Sequence, residues 1–171
     1  DISEGLARAA CCAKVDGKVA DLRTVIHRDC ELAICTAGDP EGLATIRHTA
    51  SHVLAEAVKN LFPQVKLAIG PSIDTGFYYD FDHEPFSRDD LDALEGEMKK
   101  IIKKRARLER FTLPRDEAVK FMEERNEPYK VELILDLPED AEISFYRQGE
   151  FVDLCAGPHL MSTKGVKAFK L

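Results

Sequence analysis

The chain has 171 residues, room for one ordinary domain or two small ones, and its 44% hydrophobic and 32% charged content is that of a globular protein. Its formal charge of −7 argues against a protein devoted to gripping nucleic-acid backbone, so an RNA partner requires a local cationic patch. Five cysteines, Cys11, Cys12, Cys30, Cys35 and Cys155, are odd in number and irregular in spacing, which points to reduced thiols in a cytosolic protein rather than a disulfide framework.

The opening Asp1-Ile2-Ser3-Glu4-Gly5-Leu6 has neither the basic nor the apolar region of a secretory signal and lacks Met, the expectation for a piece of a longer chain. No apolar run reaches the length of a membrane span. Residues 3–12 predict a short helix. Asp16-Gly17 lies between Val-containing runs at 13–15 and 18–22 and predicts a hairpin turn. Residues 30–35 alternate as a strand does. This first piece, to about Gly38, is too small to bury a core alone.

Asp39 is the expected N-cap of a new helix and Pro40 its first residue. The helix should run to about Phe62 and stop at Pro63. Leu43, Ile46, Ala50, Val53, Leu54, Ala57, Val58 and Leu61 form one apolar stripe. His48 and His52 fall away from the middle of that stripe but share a face with each other. By pattern alone they read as surface histidines.

Residues 66–69 predict a strand, Gly70-Pro71 a turn, and 73–81 a second strand holding the aromatic run Phe77-Tyr78-Tyr79. Ser87 with Asp90 predicts a capping box. Leu91, Leu94, Met98, Ile101, Ile102 and Leu108 continue from it as an amphipathic helix. Lys99, Lys100, Lys103, Lys104, Arg105, Arg107 and Arg110 gather at its end, where the helix dipole and water favour cations, and an RNA contact is the alternative use. Pro114 should open a helix to about Arg125. A short helix at 128–135 and strands at 143–146, 151–154 and 166–171 complete an α+β reading.

Cys155-Ala156-Gly157-Pro158-His159 repeats the four-residue spacing of His48-Thr49-Ala50-Ser51-His52. Imidazole and thiolate are the usual groups for proton transfer near neutral pH and for holding zinc. The two pairs are expected to converge in one cleft.

Arg47-His48-Thr49-Ala50-Ser51-His52, the run from Ala68 through Ile69-Gly70-Pro71 to Tyr79-Asp80, Tyr129-Lys130-Val131, and Phe151-Val152-Asp153-Leu154-Cys155-Ala156-Gly157-Pro158-His159 together resemble the threonyl-tRNA synthetase family. The resemblance covers nearly the whole chain. It implies that residues 1–38 are part of a TGS module, a ubiquitin-like β-grasp fold without its opening hairpin. It implies that residues 39–171 are an α+β editing domain with a mainly antiparallel sheet and a long HxxxH helix. The aminoacylation and anticodon-binding domains would lie outside the chain.

The activity so implied is deacylation of tRNA(Thr) wrongly charged with serine. Serine lacks one methyl of threonine, and one methyl in a pocket is worth only about 1–3 kcal/mol, so a second sieve is needed. The implied catalytic residues are His48, His52, Lys130, Cys155 and His159, with His48 and Lys130 activating or positioning water. Asp153 would hold the serine ammonium, Tyr79 would stack on the 3′-terminal adenosine, and Gly70 would leave backbone open to substrate. Lys130 and His48 are both expected to be solvent-reachable. The resemblance implies no metal in this site. The related alanyl-tRNA synthetase editing domain uses such a constellation with zinc, and its ligands here would be His48, His52, Cys155 and His159. The parent enzyme would be a cytoplasmic homodimer with no membrane association, using ATP, magnesium and zinc in the domain that lies outside. A non-catalytic tRNA-binding module is the remaining alternative.

Overall fold

The computed structural model of the protein describes residues 3–171. Ser3 caps a short helix, α1 (Glu4–Ala9), by accepting a hydrogen bond from Leu6 N. The helix stops at Ala9 because the next residues pair as a strand. β1 (Ala10–Val15) is the middle of an antiparallel sheet between β2 (Lys18–Ala20) and β3 (Leu32–Thr36). The turn between β1 and β2 is the expected hairpin, with Asp16 at φ 49° and Gly17 at φ 78°.

α2 (Pro40–Leu61) is the axis of the molecule. Asp39 and Pro40 take the N-cap and first helical positions as expected, but the Asp39 side chain makes no capping bond. The Asp39 carboxylate turns back instead to accept from Thr36 N at 2.7 Å and Thr36 Oγ1 at 3.1 Å. The apolar stripe of α2 packs on α3 (Arg88–Lys104) through Val53, Leu54, Ala57 and Val58 against Leu94, Met98 and Ile101. The other side of α2 is also covered, so Thr49, Ser51 and His52 are buried with the middle of the stripe, whereas its ends, Leu43 and Leu61, are exposed. A helix enclosed on several sides is read wrongly by an amphipathic pattern, which assumes that one face meets water.

The expected strand at 66–69 is β4 (Lys66–Leu67). The expected strand at 73–81 is three short pieces: β5 (Ser72–Ile73), β6 (Gly76–Phe77) and β7 (Phe81–Asp82). Asp74-Thr75 folds β5 back onto β6, and β7 pairs with β4 instead. The Ser87–Asp90 capping box forms at the start of α3. The helix ends at Lys104, not beyond Leu108, because Arg105 adopts the left-handed conformation at φ 54°. Leu108–Thr112 then becomes a strand, β8.

α4 (Arg115–Glu124) and α5 (Pro128–Asp136) cover one face of the sheet formed by β8, β9 (Ser144–Gln148) and β10 (Phe151–Leu154). Ala118, Met122, Ile134, Ile143 and Phe145 form that second core. No strand forms at 166–171. The chain passes through a 3-10 turn at Thr163–Gly165 and runs irregularly, with Phe169 and Leu171 packed on the main core. Mixed helices with small antiparallel sheets bear out the α+β class. No helix of the described residues is long and apolar enough to cross a membrane.

Candidate active site

The site lies where α2 meets the segment that follows β10. The backbone pairing of β9 and β10 extends one step further, through Cys155 N to Ser144 O at 3.0 Å. Ser144 Oγ donates to Cys155 O at 2.7 Å. These bonds aim Cys155 at α2. Gly157 then turns the chain at φ 79°, and a Cβ there would overlap the Tyr146 hydroxyl. Only a glycine permits this close turn, which returns the chain to α2 at His159.

Four side chains converge at the turn. Cys155 Sγ is 3.3 Å from His48 Nε2 and 3.2 Å from His159 Nε2. The His159 ring lies 4.1 Å from the rings of both His48 and His52. One ligand-type atom from each of His48, His52, Cys155 and His159 can be chosen so that all lie within 4.8 Å of one another.

Hydrogen bonds decide where the ring protons sit. His48 Nδ1 faces Pro158 O at 3.2 Å, and a carbonyl only accepts, so the proton is on Nδ1. Thr49 Oγ1 donates to Thr45 O at 3.0 Å and accepts from Leu160 N at 3.0 Å. Its remaining lone pair faces His159 Nδ1 at 3.1 Å, which places the second ring proton there. Both Nε2 atoms therefore turn a lone pair toward the Cys155 sulfur. Burial holds these groups neutral. It depresses the pKa of His48, lowers His52 to about 3, and drives His159 well below the usual imidazole range. It pushes the Cys155 thiol up to about 12.

A charged layer lies against this neutral one. Lys130 Nζ pairs with Asp153 Oδ1 at 2.7 Å and donates to the Tyr79 hydroxyl at 2.9 Å. Tyr79 in turn donates to Asp153 Oδ2 at 2.5 Å, and His52 Nε2 is 3.7 Å from the same oxygen. Burial works to raise the Asp153 carboxyl, but Lys130 and His52 outweigh it and keep the group below the usual carboxylate range.

These positions correct parts of the sequence reading. Lys130 is 2% exposed, so it is not the solvent-reachable lysine expected. It is buried because Asp153 is buried with it, and each charge balances the other. The Tyr79 ring is also buried. It stacks on Phe81 with centroids 4.9 Å apart and fills the space over Gly70, where a Cβ would overlap it. The ring therefore has no face free for an adenine, and the side of Gly70 that lacks a side chain is filled by Tyr79. Gly70 O already accepts from Ser51 Oγ at 2.6 Å.

His48 is half-buried and lines a cleft of about 200 Å³ with Val19, Glu41, Ser72 and Pro158. His52, Asp153 and His159 lie behind it, each 3% exposed or less. Sequence reading missed Thr49, although it lies inside the HxxxH segment. A hydroxyl between two histidines carries no spacing signal of its own, and only the fold reveals that it orients His159. The three histidines and one thiol, which would bind as the thiolate, are a donor set that suits zinc in a tetrahedral site.

A family profile described as "Threonyl and Alanyl tRNA synthetase second additional domain" matches residues 143–171, the stretch that contains Asp153, Cys155 and His159. The chain is 64% identical over 171 residues to a protein named threonine--tRNA ligase from Acetivibrio thermocellus, covering 99% of this chain and 27% of that protein. Identity is also 64% with the protein of that name from Clostridium botulinum, of which 26% is covered, and 60% with that from Clostridium kluyveri, of which 27% is covered. The chain thus spans about a quarter of the length of the curated relatives it matches.

Proposed function

We propose that this chain, homologous over nearly its whole length to a segment of the threonine--tRNA ligases, hydrolyses the ester of tRNA(Thr) mischarged with serine. The observation that carries the reading is the His48 imidazole. It is neutral, its unprotonated Nε2 lies 3.3 Å from the Cys155 sulfur, and its ring lines a cleft at the rim of the polar site, so a water entering beside Cys155 is the one it would activate. Ester hydrolysis needs a base for water, a proton for the departing ribose oxygen and support for the oxyanion. His48 is the base within reach of solvent. Cys155 and His159 hold its ring in register from behind.

Asp153 supplies the negative charge that would attract a serine ammonium approaching past His52. Lys130 and Tyr79 keep that carboxylate ionised and fixed. The small cleft suits a second sieve, which admits serine and meets the extra methyl of threonine with a clash. In the whole protein, this step would correct the products of ATP-dependent attachment of threonine to tRNA. Residues 1–38 would be its partial TGS module and 39–171 its editing domain.

The decisive experiment compares deacylation of Ser-tRNA(Thr) and Thr-tRNA(Thr) by the chain. The seryl ester should be cleaved selectively, and His48→Ala should lower that rate by about a hundredfold to ten-thousandfold. Equal rates on both esters would leave a generic esterase. Binding of tRNA without hydrolysis would leave a binding module, with the cations from Lys99 to Arg110 as its grip.

The clustering of four ligand atoms within 4.8 Å favours a second reading, zinc-dependent hydrolysis. His48, His52, Cys155 and His159 would hold the ion, which would supply a more acidic bound water. Metal analysis of protein purified without chelator separates the readings. Stoichiometric zinc, lost together with activity on chelation, would favour the second.

A further inference from the structure

We infer that Asp21 and Arg23, on the segment between β2 and β3, are positioning residues for His159; only the kinetic part of this inference rests on the proposed deacylase activity. Asp21 Oδ2 accepts from the backbone N of His159 at 3.2 Å. Arg23 Nη1 donates to the carbonyl of the same residue at 3.2 Å. One side chain thus holds each polar backbone group of His159, across 138 and 136 positions of sequence. The two are themselves paired at 2.8 Å, with side chains 9% and 16% exposed.

Arg23 spends its remaining donors on the same neighbourhood. Nη2 reaches Leu160 O at 3.0 Å and Leu108 O at 2.5 Å, and Nε reaches Leu108 O at 3.1 Å. A planar guanidinium with fixed donor directions clamps three carbonyls at once, which a flexible ammonium does less well. Asp21 also accepts from the Tyr146 hydroxyl at 2.7 Å. The Tyr146 ring meets the His159 imidazole edge-on, centroids 4.5 Å apart. Asp21 therefore fixes the backbone of His159 directly and its ring through Tyr146.

His159 belongs to no helix or strand, so no regular backbone ladder fixes its peptide. The Asp21–Arg23 pair replaces that ladder. The bond from Thr49 then sets the ring proton, and Nε2 stays 3.2 Å from the Cys155 sulfur. Outer partners that orient the histidines of metal sites are worth roughly tenfold to a hundredfold in activity, and the Asp21–Arg23 pair stands behind His159 in the same way.

The alternative is a staple that only ties the first strands to the rest of the chain. Arg23→Met and Asp21→Asn separate the two, read by the ring nitrogen signals of His159 in NMR and by steady-state deacylation well below each variant's melting temperature. Both variants should shift the His159 signals while leaving those of His83, which packs on Phe62 and Phe86, unmoved. Both should lower kcat by about tenfold or more at unchanged KM. If either replacement prevents folding, Arg23→Lys, which keeps one donor and the charge, carries the same readouts. Parental His159 signals in a folded variant overturn the inference, and so does a parental kcat alongside shifted signals. If the parent itself deacylates nothing, the proposed function fails and the NMR comparison alone decides the positioning.

Discussion

Two layers meet at His52, and they are buried by opposite means. On one side, Lys130, Asp153 and Tyr79 are buried as a closed set of paired charges and a shared hydroxyl. On the other, buried His159 and half-buried His48 and Cys155 stay neutral, the ring protons of the two histidines assigned by Pro158 and Thr49. His52 touches both, 4.1 Å from the His159 ring and 3.7 Å from Asp153 Oδ2. Charge is tolerated in an interior when it is compensated, and ionisable groups are tolerated when they stay uncharged. The paired layer can orient and attract, its one carboxylate tied to Lys130 and Tyr79. The neutral layer keeps unprotonated ring nitrogens, those of His48 and His159 turned together toward the Cys155 sulfur.

The comparison makes its strongest prediction for the charged layer. Lys130→Met leaves Asp153 buried without its partner and should cost about 3–5 kcal/mol of folding stability, read by denaturant unfolding. Adding Asp153→Asn should return a substantial part of that loss. A single variant as stable as the parent would mean that the ion pair contributes nothing to holding the layer.

The neutral layer is tested by acid. His48, His52 and His159 resist protonation in the fold but not in the unfolded chain, whose imidazoles titrate near ~6.5. Below that pH the unfolded state binds more protons, so stability falls as pH falls. The slope is about 1.4 kcal/mol per pH unit for each group, and for His52 it continues toward pH 3. The low carboxyl of Asp153 adds a further loss below about pH 4. Calorimetry at pH 5 should record uptake of about two to three protons on unfolding from these histidines, and uptake near zero would show that they are already charged in the fold.

Thr49→Val is a smaller and more local probe. It keeps the shape but removes the acceptor of Leu160 N and the partner of His159 Nδ1. Leaving that buried amide unpaired should cost about 1–3 kcal/mol. The His159 tautomer should become mixed, visible in the nitrogen shifts of its ring. Smallest of all, Cys155→Ser should cost under about 1 kcal/mol, because a neutral hydroxyl replaces a neutral thiol as donor. If zinc occupies the site, the same change instead removes a thiolate ligand, and a large loss of stability confined to the metal-loaded protein would reveal it.

The sequence by itself determined the elements with local causes. The Asp16-Gly17 hairpin follows from backbone freedom at the turn, the Ser87–Asp90 cap from side-chain reach, and the long helix from Pro40, a continuous apolar stripe and Pro63. It also marked His48, His52, Cys155 and His159, because spacing within each pair is a local property. The long-range causes were out of reach. Leu108–Thr112 is a strand because β9 pairs with it, and residues 73–81 break because Asp74-Thr75 turns β5 onto β6. Burial of Lys130 depends on Asp153 lying 23 residues further on, and the seat of His159 depends on Asp21 and Arg23 near the other end of the chain. Propensity and periodicity are set by neighbours in sequence. Burial, protonation and the partners of a polar group are set by neighbours in space, and only the tertiary structure supplies those.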